Sequence, residues 1–387
     1  MTAALPVAAR LQRLSRTSHV VGLAVLALAG VGAYVANQQF LRSYLVAFLF
    51  WLGLGLGSLA LLMLHHLVGG RWGKATAPIL AAAARTLPLL ALLFVPIAVG
   101  LRQLYVWATP IVPETHHAPV HHEVYLSPAG FLTRAALYFV VWIALAALVT
   151  RLGAAVAATG DLRRARWLAR VSAAGLALYV LSMSFAAFDW GMSLDPQWYS
   201  TIYGLLFIVG QGLSGLALVI VALYLLAGEA AFELADRFHD LGNLLMAFVM
   251  LWAYISFSQL IIIWSGNLPE EIPWYLHRFN HGWEVVGLIL VVLHFAVPFS
   301  VLLARRIKRR GRRLAAVALF VLLMRQVDLY WIIAPVFQAD AVRLHWLDPA
   351  LMCGLGGLWL AVFSRALART WSVPPPRGGN AGRHRPR

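Results

Sequence analysis

The chain has 387 residues, 61% of them hydrophobic and 12% charged, with a formal net charge of +16. A soluble domain does not carry that excess of apolar residues, so the solvent for most of this chain is a bilayer. Its basic residues stand in short clusters between apolar runs, a distribution that sets membrane topology and excludes a nucleic-acid groove. The lone cysteine, Cys353, lies in an apolar run. It excludes an intrachain disulfide, a cysteine-ligated iron–sulfur cluster and a four-cysteine zinc site within the chain.

A hydrocarbon core of roughly 30 Å takes about 20 helical residues. Runs of that length predict an all-α integral membrane protein of ten transmembrane helices, over 20–35, 43–68, 84–105, 129–150, 171–188, 200–227, 242–264, 282–304, 314–334 and 349–366. The N-terminus (1–19) and a basic tail (367–387) flank the membrane domain (20–366). Arg10, Arg13 and Arg16 ahead of the first run also suit a signal peptide. That run is long for one, so it reads as a retained helix; cleavage would leave the other nine unchanged. Taken alternately, the segments between helices divide the 31 Lys and Arg into 25 on one side and six on the other. The positive-inside rule then places both termini and the Arg305–Arg313 cluster in the cytoplasm. The tail PPPRGGNAGRHRPR has the composition of a disordered segment. No internal repeat is visible.

In chain order, His65 and His66 fall at the cytoplasmic end of the second helix. The loop after the third helix, ETHHAPVHHEVY, crowds His116, His117, His121 and His122 beside Glu114 and Glu123. It reads as a solvated polar loop before a metal site, since no second shell accompanies it. With His294 in the eighth helix, these histidines form no pair at matched depth, and no haem or metal is expected in this chain.

Tyr179, Ser182, Ala186 and Asp189 are spaced by three, four and three and share one face of the fifth helix. The seventh helix puts Tyr254 and Ser258 on one face and Ser256 and Gln259 on a neighbouring one. Such groups serve either as glue between helices or as a proton wire or quinone pocket. The ends of these helices and the loops after them mix Asp189, Asp195, Glu270 and Glu271 with Trp190, Trp198, Trp264 and Trp274, which suits an interfacial aromatic belt or a docking surface for an external partner. His277, His281 and Glu284, at steps of four and three, form a candidate proton exit or an interface cap. In the ninth helix Arg325 and Asp328, three residues apart and near mid-membrane, predict an ion pair. Whether structural or proton-transferring, Asp328 is the group that would titrate.

DWGMSLDPQWYSTIYG, WAYISFSQLIIIWSGNLPEEIPWY and RQVDLYWIIAP resemble the signature segments of the ActF family, membrane subunits of bacterial alternative complex III. The similarity spans roughly residues 20–365. The resemblance implies a polysulfide-reductase-like (NrfD-type) fold, with helices 2–5 and 6–9 as two four-helix bundles flanked by helices 1 and 10. It also implies membership of a respiratory quinol:cytochrome c, or quinol:oxidase, oxidoreductase in the bacterial inner membrane. This chain would pair with a homologous quinol-oxidising subunit (ActC), beneath external multihaem cytochrome c and iron–sulfur subunits that hold the haem c and the clusters. Although the family label is quinone-binding subunit 2, the residues show no unambiguous quinone pocket. The expected role is structural pairing plus a proton path through Asp328, Arg325, Tyr254, Ser258, Tyr179, Ser182 and Asp189. Competing readings are an NrfD-type anchor of another iron–sulfur or molybdenum oxidoreductase, a secondary transporter, and a purely structural subunit. A transporter should show matched Gly or Pro interruptions; Pro88, Pro96 and Pro298 do not match in position.

Overall fold

The computed structural model of the chain describes residues 7–109 and 125–371. Among them ten helices are long and apolar enough to cross a membrane, and no strand is present. They are α1 (Val7–Val35), α2 (Asn37–Val68), α3 (Trp72–Val99), α4 (Pro128–Thr159), α5 (Leu162–Leu194), α6 (Tyr203–Ala227), α7 (Ala235–Gly266), α8 (Trp283–Leu303), α9 (Gly311–Val336) and α10 (Leu347–Ala368). The histidine-rich loop and the arginine tail fall outside the described residues.

Most helices outrun their apolar stretch, because an amphipathic turn can continue a helix beyond the hydrocarbon while its charges reach water. Thus α1 begins at Val7, with Arg10, Arg13 and Arg16 exposed and Leu11 and Ser18 buried. Ser15 Oγ donates to the Ala361 carbonyl of α10 at 2.8 Å. The turn from α4 to α5 is set by Gly160, left-handed at φ 63°, and by Asp161, whose carboxylate accepts from the amide of Arg163 at 2.7 Å.

The third helix departs most from its sequence assignment of 84–105. It starts a dozen residues earlier, and Ala75, Ile79, Leu80 and Ala82 are buried in this first section. Arg71, Lys74 and Arg85 mask that section in the hydropathy pattern. Helical pieces Leu87–Leu93 and Val95–Val99 follow, each with a proline in its first turn. Proline is tolerated there because those amide groups lack helical partners anyway.

The centre is α2 against α6, the two helices buried over most of their length. A Cβ on Gly57 would lie 1.8 Å from the Gln211 carbonyl oxygen, so the backbones meet directly, the close approach that small residues allow in a membrane. Around them α5 and α10 pack on α2, α7 and α9 on α6, α4 on α5, and α1 on α10; α8 lies on α7 and α9. The helices alternate in direction, so the start of α1 and the end of α10 share one end. There Lys308 donates to Asn243 at 2.7 Å and Arg309 pairs with Asp236 at 3.2 Å. The signature loops lie at the opposite, far end.

Candidate functional site

Arg325 and Asp328 sit one turn apart on α9 and are both buried. Their side chains form a direct ion pair between Arg325 Nη1 and Asp328 Oδ2. The same oxygen accepts the indole N–H of Trp252 on α7 at 3.0 Å. On the other side the guanidinium lies flat on α6 at Gly210, where an added Cβ would come within 2.3 Å of Arg325 Cζ. Two unlike charges are thus buried together, each satisfying part of the other's desolvation cost, with glycine leaving room for the larger one. His294 of α8 stands edge-on to Trp252 with ring centroids 4.3 Å apart, and neither of its ring nitrogens has a hydrogen-bond partner among the described residues.

Beside this pair a cavity of 480 Å³ opens between α7, α8 and α9. Asp328 lines its inner part, with Gln259, Trp252 and Leu290. Trp274, Tyr275 and Trp331 also line it, and so does the exposed Glu284. Gln259 is 1% exposed, and both its amide oxygen and its amide nitrogen are without partners among the described residues. The wall from α8 is irregular. Leu290–Ala296 is a π-helix, immediately before Pro298. Proline at that position removes the donor for the His294 carbonyl and crowds it, which favours a wider turn just upstream.

The far-end edge of the cavity hangs on Arg278, a residue the sequence reading passed over. It is buried, has no carboxylate partner among the described residues and donates to three carbonyls: Trp274 at 2.7 Å, Ile332 at 2.6 Å and Trp331 at 3.2 Å. Its guanidinium also lies 3.5 Å from the centre of the Trp274 ring. Burial pulls its pKa down to about 9, so the cation persists at neutral pH. Trp331 and Ile332 lie in the last turn of the α-helical part of α9, which ends at Ile333, so the charge sits at the negative end of that stretch and ties it to the short helix Ile272–Leu276. One signal was available, since Arg278 is among the six basic residues on the arginine-poor side.

The other predicted residues divide among separate groups. Asp189, fully buried, accepts from Arg134 at 2.8 and 2.9 Å and from the Tyr138 hydroxyl at 2.8 Å. Ser182 accepts from the Trp142 indole at 2.8 Å, within the same α4–α5 pair. Tyr179 lies between the two groups, donating to Gln211 Oε1 at 2.8 Å next to the Gly210 that carries Arg325. The hydrogen bonds of Asp189 and of Asp328 therefore belong to different sets of helices. Tyr254 is 66% exposed on the outer face of α7 and stands apart from both, while Ser258 is half-buried.

Two expectations require correction. His277, His281 and Glu284 do not share a helical face, because the helix is broken between them: His277 follows Leu276, His281 is left-handed at φ 58°, and Glu284 opens α8. Glu284 alone of the three lines the cavity. Nor are three of the four tryptophans of the signature loops available to a partner. Trp190, Trp198 and Trp274 are buried inside the fold. Trp198 stacks on Trp274 at 4.8 Å and donates to the Glu271 carbonyl at 3.1 Å, and Trp190 accepts from the Tyr105 hydroxyl at its carbonyl. Burial raises Tyr105 well above its ordinary pKa. Of the residues expected to dock a partner, Trp264 at 71% exposure and the acids reach solvent, Glu270 exposed and Asp195 and Glu271 half-buried. Large rings at this depth gain more from mutual packing than from standing in water.

Among the described residues no group of three or more His, Cys, Asp and Glu is placed to hold a metal ion. No family model matches the chain, and no curated protein matches it.

Proposed function

We propose that this chain is an ActF-type membrane subunit of a bacterial respiratory quinol:cytochrome c, or quinol:oxidase, oxidoreductase. In this reading it lies in the inner membrane with both termini cytoplasmic. It pairs with a homologous NrfD-type subunit that oxidises quinol, and external haem c and iron–sulfur subunits take the electrons. The likeness of the three signature segments supports the family. The contacts of α2 with α3 and α5, and of α6 with α7 and α9, agree with two bundles joined at their inner helices. The division of Lys and Arg supports the orientation.

The role of this subunit is to carry protons between the membrane interior and the external face. The observation that bears this reading is that Asp328 and Glu284 line one cavity, the first buried and the second exposed. A carboxylate held by Arg325 and Trp252 can take up or release a proton only where a path to water exists, and the lining of one cavity by both carboxylates supports such a path. The predicted chain through Tyr179 extends to Gln211, whose neighbour Gly210 packs on the Arg325 guanidinium.

Purification of the native complex tests the assignment: a multihaem cytochrome, an iron–sulfur protein and a second NrfD-type subunit should co-migrate with the chain. Their absence would sink it. Asp328→Asn should then lower the protons released per quinol oxidised by the reconstituted complex; an unchanged proton yield would refute the path.

A further inference from the structure

The end of the molecule that holds the start of α1 and the end of α10 carries two dense groups of arginine. At the α8–α9 turn, protein groups answer part of the charge, through the Arg309–Asp236 pair and the bond from Lys308 to Asn243. The start of α5 is different. Arg163, Arg166 and Arg170 are exposed and have no carboxylate partner among the described residues, and the nearby acid, Asp161, pairs with Arg164 at 3.5 Å. Arg166 Nε donates to the Leu162 carbonyl at 3.4 Å. At about 100° per residue, the three arginines and the exposed Trp167 fall within an arc of about 100° on α5. The buried residues Leu168, Ser172, Gly175 and Tyr179 occupy the opposite side. This basic face therefore points straight out from the molecule.

The same stripe turns apolar as α5 enters the membrane. Ala174, Leu178, Leu181 and Phe185 continue it, and all four are exposed. From Arg170 to Leu181 the helix climbs about 16 Å, roughly one leaflet of a hydrocarbon core about 30 Å thick. We infer that this stripe seats an anionic phospholipid, its phosphate on Arg163, Arg166 and Arg170 and an acyl chain laid along Ala174, Leu178 and Leu181. Guanidinium forks match phosphate oxygens in pairs, and basic residues at the membrane surface favour lipids of net negative charge. Trp167 stands at the boundary of head and tail, where an amphipathic ring is at home. A zwitterionic lipid brings a cation of its own to three arginines and fits less well. A soluble polyanion or an acidic peptide matches the arginines but leaves the apolar continuation of the stripe unused. Only a bilayer is required, so the inference does not depend on the respiratory reading.

The test uses the full chain in nanodiscs of equal parts phosphatidylglycerol and phosphatidylcholine. The probe is a phosphatidylglycerol with a photoreactive diazirine on its acyl chain, and the readout is peptide mapping. Label is expected in 166–185, and it should be displaced by added phosphatidylglycerol but not by phosphatidylcholine or inorganic phosphate. Each basic residue near an anionic surface is worth about fivefold in affinity, so Arg163→Gln, Arg166→Gln and Arg170→Gln together should weaken the site about a hundredfold. Losing three charges can disturb insertion, so Ala174→Trp supplies a second variant. It fills the path of the acyl chain with every charge in place, and should reduce labelling of 166–185 without moving the thermal midpoint. Label spread equally over the α8–α9 turn, displacement by phosphatidylcholine or inorganic phosphate, or labelling indifferent to Ala174→Trp would overturn the inference.

Discussion

The indole N–H of Trp252 donates to Asp328 Oδ2 at 3.0 Å, across 76 residues of sequence and from α7 to α9. The oxygen that accepts it is the one engaged by Arg325, so a single carboxylate oxygen is held by a neutral and a charged donor. Replacing Trp252 with Phe keeps most of the ring and removes the donor, and should cost about 1–2 kcal/mol in thermal or denaturant unfolding in detergent. A double-mutant cycle with Asp328→Asn reads the coupling directly. Strictly additive effects would show that the bond contributes nothing.

Arg325 and Asp328 should behave as a unit. Arg325→Met or Asp328→Asn alone leaves a buried charge or its partner uncompensated and should destabilise by about 3–5 kcal/mol. Arg325→Met combined with Asp328→Leu removes both charges and should recover much of that loss. If the double variant is as unstable as the two singles summed, the pair is not the reason for the penalty.

Gly210 gives the guanidinium its room. Gly210→Ala would put a methyl group 2.3 Å from Arg325 Cζ, closer than carbon atoms approach, and should lower stability by about 1–3 kcal/mol. In an Arg325→Ala background the same substitution should be close to neutral, since the obstructing group is gone. A penalty that persists there points instead to helix packing elsewhere on α6.

Arg278 should be intolerant of lysine. A planar fork reaches three carbonyls of Trp274, Trp331 and Ile332 at once, whereas an ammonium on a flexible stem does not reproduce that geometry. Both Arg278→Lys and Arg278→Met should shift the tryptophan emission of Trp274 and Trp331 and speed proteolysis of the 267–282 loop. Lysine that restores wild-type emission and protection would mean the charge alone matters.

Much of this fold was legible as pattern. Ten apolar runs predicted ten helices, because lipid demands unbroken hydrogen-bonded helix wherever the chain crosses it. The ninth helix revealed its ion pair through spacing alone, since Arg325 and Asp328 are close on any α-helix. The start of the third helix was hidden by Arg71, Lys74 and Arg85, which hydropathy treats as loop. The aromatic loops misled in the other direction: composition cannot tell a tryptophan at an interface from one stacked beneath a loop, and Trp198 and Trp274 are stacked.

By itself, then, the sequence determined the solvent, the number of crossings and those pairings that lie within one helix turn, all of which follow from local spacing and side-chain polarity. Only the tertiary structure decided which polar groups meet across helices. It set Asp328 against Trp252, Tyr179 against Gln211 and Arg278 against the end of α9, and it left Gln259 without a partner among the described residues, in a cavity between α7, α8 and α9. The physical reason is that helix rotation and contact are settled by packing between distant segments, such as Gly57 of α2 on Gln211 of α6, which no periodicity along one segment encodes.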